Sequence, residues 1–212
     1  MPVNSSRERI LQRISVAGKK RLIFDVASAS KSNDIYKPIV PDVVTCFKNE
    51  LELINGKCFL CKNETDLYSK LKLFVEENNF PFLYCRDSYI LQQLKAFSIP
   101  FSNSLSDFED MKAGVTGCEF LISRTGTVMV SSASESGRQM NVYPPVHIVL
   151  AHVSQIVDYP EDAFIAIREK YANYLPSSIS TITGPSRTAD IEKTLVIGAH
   201  GPKQFIVFLC KE

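Results

Sequence analysis

The strongest constraint on the fold is an alternation of short apolar runs and helix-patterned segments between Lys57 and Phe97. Lys57 to Cys61 is a compact apolar run, and Glu64 to Glu77 places Leu67, Leu71, Phe74 and Val75 on one helical face. Pro81 to Cys85 repeats the strand pattern, and Asp87 to Phe97 repeats the helix pattern. Strands too apolar to alternate, separated by helices of this length, require a sheet buried on both sides. The segment therefore predicts βαβ units and a mainly parallel sheet with helices on both faces, an α/β fold.

The flanking chain fits one such domain. Residues 5 to 17 read as an amphipathic helix through Ile10, Leu11, Ile14 and Ala17, with Ser5 and Ser6 as N-cap residues. Residues 27 to 42, with Ser, Lys and Asn and then Pro38 and Pro41, read as a loop or extended arm. Helical spacing resumes from Asp42 to Ile54 through Val43, Phe47, Leu51 and Ile54. The expected organisation is an N-terminal helix and arm over 1–42 and an α/β domain over 43–212. In the second half, Phe120 to Ile122, Val128 to Val130, His147 to Ala151, Ile179 to Thr183 and Phe205 to Leu209 read as strands. Pro160 to Tyr174 reads as a helix. No internal repeat is visible.

Charge and cysteine usage exclude several function classes. The 24 basic and 23 acidic residues leave a net charge of +1, no footprint for nucleic acid or an anionic membrane. No apolar run approaches a membrane span, and the N-terminus carries Arg7, Glu8, Arg9 and Arg13 in place of a signal's apolar stretch. The six cysteines are scattered, mostly within apolar stretches, as in a protein of the reducing cytoplasm. Cys58 and Cys61 have the spacing of a metal or redox pair but lack a second pair, so no metal and no cofactor is expected. His147 and His152, five positions apart on one strand, face opposite sides and cannot share an ion.

Two segments carry the types of residue that bind and react. Gly184, Ser186, Arg187 and Thr188 follow the strand ending at Thr183 and are read as opening a short helix. Such a turn offers unpaired N–H groups, hydroxyl donors and a planar cation suited to carboxylate or phosphate. The same residues also read as a capped helix start, with Asp190 and Glu192 complementing the dipole. Thr125, Gly126 and Thr127 read as the tight turn of a hairpin or as a second part of that anion site. Glu119 heads an apolar run, where an acid is unexpected, and is a candidate general acid, base or nucleophile. His200, between Gly198 and Gly201, is the candidate for proton transfer. No nucleophile elbow, phosphate-binding loop or dinucleotide fingerprint occurs.

Taken in order, Gly114-Val115-Thr116-Gly117, Thr125-Gly126-Thr127, Pro144-Pro145-Val146-His147, Gly184 through Glu192 and His200-Gly201-Pro202 resemble the lactate-utilization protein C family, the LUD domain. The resemblance is strong over the last hundred residues or so and weak before them. It implies a three-layer α/β/α fold like that of sugar-phosphate isomerases and CoA transferases. It also implies a cytoplasmic, non-redox subunit of a bacterial system that oxidises L-lactate to pyruvate with iron–sulfur partner subunits. A small organic acid or phosphate is the implied ligand. The family pattern often puts an acid before the Thr-Gly-Thr, where this chain has Arg124, so any role of that acid does not transfer. The alternative is an independent enzyme acting on a small phosphorylated or CoA-linked substrate, and the sequence leaves open whether the chain is catalytic.

Overall fold

A computed structural model of the protein describes residues 6–18, 37–172, 174–188 and 195–211. The chain divides into two units, residues 1–38 and 39–212. In the first, α1 (Ser6–Gly18) is the helix expected from its spacing, with Ile10, Leu11 and Ile14 exposed. The arm expected over 27–42 lies largely outside the described residues.

The second unit opens with α2 (Val43–Leu53). Asp42 caps it, its carboxylate accepting from the backbone N–H groups of Val44 and Thr45, both at 2.9 Å. Those bonds, led by Thr45, hold the Asp42 carboxyl below its ordinary pKa. Strand β1 (Lys57–Cys61) leads into α3 (Glu64–Glu77), capped by Asn63. Strand β2 (Leu83–Cys85) leads into α4 (Ser88–Ala96), capped by Asp87, and then β3 (Phe101–Ser102). The remaining strands are β4 (Ala113–Thr116), β5 (Phe120–Ile122), β6 (Thr127–Ser131), β7 (Val146–His152), β8 (Ile156–Val157), β9 (Ile179–Ile182), β10 (Arg187–Thr188), β11 (Val196–Ile197) and β12 (Gln204–Cys210). Helix α5 (Pro160–Tyr171) lies between β8 and β9 and begins on the proline that pre-sets its first turn.

The central sheet has the order β1-β12-β7-β4-β2-β3, and every pairing in it is parallel. Its middle strands are covered on both faces, which is why β7 and β12 are buried along almost their whole length and mostly apolar instead of alternating. One face packs on α3 and α4 through Leu71, Leu94, Val115, Ile148 and Phe208. Phe208 stacks on Phe59 at 4.9 Å and meets Phe74 edge-on at 6.0 Å. The mainly parallel sheet read from the sequence is thus observed.

The other face is built differently from the expected layer of helices. Helix α2 shares it with a second sheet of order β8-β5-β6-β9, which carries α5 on its own outer side. Strands β5 and β6 form an antiparallel hairpin, β6 pairs antiparallel with β9, and β5 pairs parallel with β8. Thr125-Gly126-Thr127 is the hairpin turn, with Gly126 in the left-handed conformation at φ 58°. Gly114 to Thr116, not among the strands read from the sequence, belong to central strand β4. Where a helix was expected to open, Arg187–Thr188 is strand β10, paired with β11; residues 189–194 lie outside the described residues.

Candidate functional site

Because the central strands run in one direction, their carboxyl ends share one edge, the place where open α/β sheets collect ligands. Glu64 follows β1 there, Asp87 follows β2, Gly117, Cys118 and Glu119 follow β4, and His152 ends β7. These residues border two adjoining hollows of about 230 and 190 Å³ that have Asp87, Gly117 and Cys118 in common. The first has an apolar floor that includes Leu67, Tyr68, Ile90 and Leu150, with His152 and Gln155 on its wall. Lys170, Tyr171 and Ser131 join Glu119 around the second.

Glu119 is the chemical centre of this edge. It is 5 % exposed, and its carboxylate accepts from Ser131 Oγ at 2.6 Å, Lys170 Nζ at 2.7 Å and Tyr171 Oη at 2.8 Å. Burial works to raise its pKa, but the bonds from Lys170, Ser131 and Tyr171 together outweigh that, and the net direction is down. The carboxylate in turn raises the pKa of Lys170, while burial and then Glu119 raise that of Tyr171. Backbone contacts fix the turn: Glu119 N donates to Met129 O, and Gln155 Nε2 donates to Cys118 O at 2.7 Å. The Cys118 thiol, pushed up to about 12 by burial and then by Glu119, is protonated at neutral pH.

The residues read from the sequence as an anion site gather elsewhere. Thr125, Thr127 and Thr183 form a hydroxyl chain, with Thr127 Oγ1 at 2.8 Å from Thr125 Oγ1 and 2.9 Å from Thr183 Oγ1. A side chain at Gly126 would collide with the backbone of Glu50 and Leu51, and one at Gly184 (φ 76°) would lie 2.9 Å from Ile54 O. Arg187 Nη2 donates to that same carbonyl, at the C-terminal end of α2. Thr125, Gly126, Thr127, Gly184 and Arg187 thus form a socket around the last turns of α2. Ser186 exchanges backbone bonds with Pro202 and Gly198, and Thr188 pairs with Val196.

His200 belongs to the exposed loop before β12, whose Lys203 N bonds to Pro145 O just before β7. It therefore lies at the amino edge of the central sheet, and Glu119 at the carboxyl edge. The seven residues of β7 span about 20 Å between those edges. Cys58 and Cys61 are buried on opposite faces of β1, with thiols pushed up to about 12 and about 11 by burial. His147 is fully buried, while His152 lies half-buried on the cleft wall. Among the described residues no group of three or more His, Cys, Asp and Glu side chains could hold a metal ion, and no helix is long and apolar enough to cross a membrane. Sequence reasoning missed Lys170 and Tyr171, which carry no local signal because they end a helix patterned for solvent.

A parallel six-stranded sheet backed by a second, mixed sheet, with an acid-centred cleft at the carboxyl edge, defines a mixed α/β protein. The chain belongs to the LUD domain family, whose model matches residues 44–210. It is 40 % identical over 96 residues to Lactate utilization protein C of Bacillus subtilis, covering 44 % of this chain and 40 % of that one. Lactate utilization protein C of Bacillus licheniformis is 38 % identical over the same length and shares. An uncharacterised protein of Neisseria meningitidis is 37 % identical over 100 residues, 47 % of this chain and 42 % of its own. The chain thus spans less than half the length of the curated relatives it matches. In fold it is similar to the crystal structure of a DUF162 family protein from Deinococcus radiodurans. The TM-score is 0.58 at 16 % identity, over 79 % of this chain and 96 % of that one.

Proposed function

We propose that the protein is a non-redox component of a lactate-utilization system, one that docks iron–sulfur partner proteins and holds a small organic acid during oxidation of L-lactate to pyruvate. Relatives bearing the name Lactate utilization protein C support the process. The separation of Glu119 from His200 supports the part of the reading in which the two do not act as an acid–base pair. General acid–base catalysis needs both groups within reach of one substrate, and these two sit at opposite edges of the sheet. Glu119 is moreover clamped by three donors, which makes its carboxylate a weak base and a hindered nucleophile. On this reading Glu119 fastens α5 to the cleft wall, and Thr125, Gly126, Thr127, Gly184, Ser186, Arg187 and Thr188 seat α2 and the loops beside it. The chain then needs no cofactor of its own, and it works in the cytoplasm, where its partners reduce and reoxidise their clusters.

Deleting the gene in its own organism and restoring it with a tagged copy tests this. Growth on L-lactate should fail in the deletion and return with the copy, which should co-purify with proteins showing iron–sulfur absorbance. Undiminished growth on L-lactate, together with turnover of a CoA thioester or sugar phosphate by the purified chain, would instead establish an independent enzyme.

A further inference from the structure

The whole-chain charge of +1 conceals an asymmetry. Residues 1–38, the first compact unit, hold eight Lys and Arg against three Asp and Glu, a net +5. Residues 39–212 hold sixteen against twenty, a net −4. Most of the positive charge falls between Arg7 and Arg21, a stretch with six basic residues and one acid, Glu8. A basic excess confined to one end of a chain is an electrostatic footprint that the overall balance hides. It revises the expectation, drawn from that balance, of no footprint for an anionic membrane.

The described part of this stretch is α1 (Ser6–Gly18), which carries Arg7, Arg9 and Arg13. At about 100° per residue, Ile10, Leu11 and Ile14 fall within an arc of about 100°, with Arg7 at its head and Gln12 on the opposite side. These three aliphatic side chains are 57 %, 51 % and 62 % exposed, whereas a helix belonging to a globular core buries its apolar stripe. Beside the arc, Arg9 and Arg13 lie one turn apart and, with Ser6 and Ile10, line a hollow of about 180 Å³. Ser6 Oγ accepts from Arg9 Nη2 at 3.4 Å, which holds that guanidinium on this side of the helix. The described residues around the hollow include no carboxylate. Two planar cations and a hydroxyl are donors suited to phosphate oxygens.

The distribution of charge decides what meets this face. A groove on an acidic protein would match cations at a few fixed positions. Here Arg7 heads the arc, Arg9 and Arg13 stand to one side, and Lys19, Lys20 and Arg21 follow consecutively in the sequence, a run with no helical period. Cations in excess beside an apolar arc match a continuous layer of phosphates over hydrocarbon, where each contributes wherever it meets the plane. The arginine stems can lie along the apolar layer while their heads reach the phosphates. Helix α1 is about 20 Å long, and no described helix is long and apolar enough to cross a membrane, so the fitting arrangement is one that lies along the surface.

We propose that α1 binds the surface of an anionic bilayer, with Ile10, Leu11 and Ile14 at the acyl boundary and Arg9 and Arg13 on lipid phosphates. This goes beyond the functional reading and stands whether or not that reading does. Sedimentation of the full chain with vesicles tests it, using phosphatidylcholine alone and an equimolar mixture with phosphatidylglycerol. The wild type should sediment with the mixed vesicles only. Arg13→Gln should weaken that binding about fivefold and Ile14→Asp about tenfold or more. The chain has no tryptophan, so Ile14→Trp and Gln12→Trp report orientation. On mixed vesicles the emission of the first should shift to the blue and that of the second should not. Equal shifts at both positions, binding to phosphatidylcholine as tight as to the mixture, or wild-type binding by Ile14→Asp would overturn the proposal. Absence of vesicle binding would overturn it too, leaving α1 to a groove on a protein. So would release from vesicles by inorganic phosphate but not by sodium chloride at equal ionic strength, which would make the hollow a site for the free anion.

Discussion

Replacing Glu119 by Gln should destabilise the protein by about 1–3 kcal/mol at neutral pH, and the loss should shrink in acid. The magnitude follows from what the carboxylate holds. Ser131 and Tyr171 donate to one of its oxygens at 2.6 and 2.8 Å, and a hydrogen bond to a charged acceptor contributes about 1.5–3 kcal/mol where buried. An amide oxygen retains part of that, so about 1–2 kcal/mol is lost here. The ion pair with Lys170 adds less, because the lysine side chain is 51 % exposed and water screens it, leaving about 1 kcal/mol or below. For a chain of this size the total corresponds to a melting point lower by roughly 2–12 °C.

The pH dependence separates charge from shape. The folded pKa of Glu119 is lowered, whereas in the unfolded chain it titrates near about 4.3. The stabilisation is therefore complete above that value and is lost as pH falls through the lower folded value. Urea unfolding of wild type and Glu119→Gln, from neutral pH to below about pH 4, should show midpoints that converge. Equal stability at neutral pH would refute the network. A gap that persists undiminished in acid would assign the effect to packing and not to the carboxylate's charge.

Further outcomes follow from the other sites. Gly126→Ala should cost several kcal/mol, about 3 or more, because it combines a positive φ with a collision against the α2 backbone; thermal unfolding reads this directly. Arg187→Ala should lower stability by about 1 kcal/mol through loss of its bond to Ile54 O, read as a lower urea midpoint. His147 should stay neutral across the physiological range, since burial pushes its pKa down to about 3, so its imidazole NMR shifts should be flat between about pH 5 and 8. Cys118 should react slowly with thiol reagents at neutral pH, as its thiol is pushed up to about 12.

How much of this was legible in the sequence depended on how local each cause is. Helix α3 and strand β1 have the bounds their own residues predict, because apolar period and cap lie within one segment. Strand β4 was not seen as a strand: four small or β-branched residues after a lysine have no period, and only pairing with β2 and β7 makes them central. Strands β5, β6 and β9 of the second sheet are legible in their own residues, but its fourth strand β8 is only two residues long, as are β10 and β11, which form a separate pair, and such short runs carry no period. Glu119 stood out as an acid in an apolar run, yet its partners Lys170 and Tyr171 lie more than fifty positions away.

The socket around α2 shows where reading by residue type reaches its limit. A positive-φ glycine beside a planar cation serves equally when a ligand approaches the backbone and when a helix does. At Gly126, Gly184 and Arg187 the approaching group is the end of α2, whose carbonyl at Ile54 has no partner within the helix, carries partial negative charge and accepts from Arg187, chemically akin to the anion read for those residues from their types. Tyr84, Ser136 and His147 make the converse case. Each is unremarkable in the sequence, one in an apolar run, one in a serine-rich turn and one within a strand. Their distinction is that the fold removes water and, among the described residues, supplies no partner, a property that belongs to no residue singly. Sequence identifies which groups can bond, and only the folded chain reveals which have already done so. For this protein Thr125, Thr127 and Arg187, which the sequence singles out, are already engaged, whereas Tyr84 Oη, Ser136 Oγ and His147 Nδ1 have no partner among the described residues.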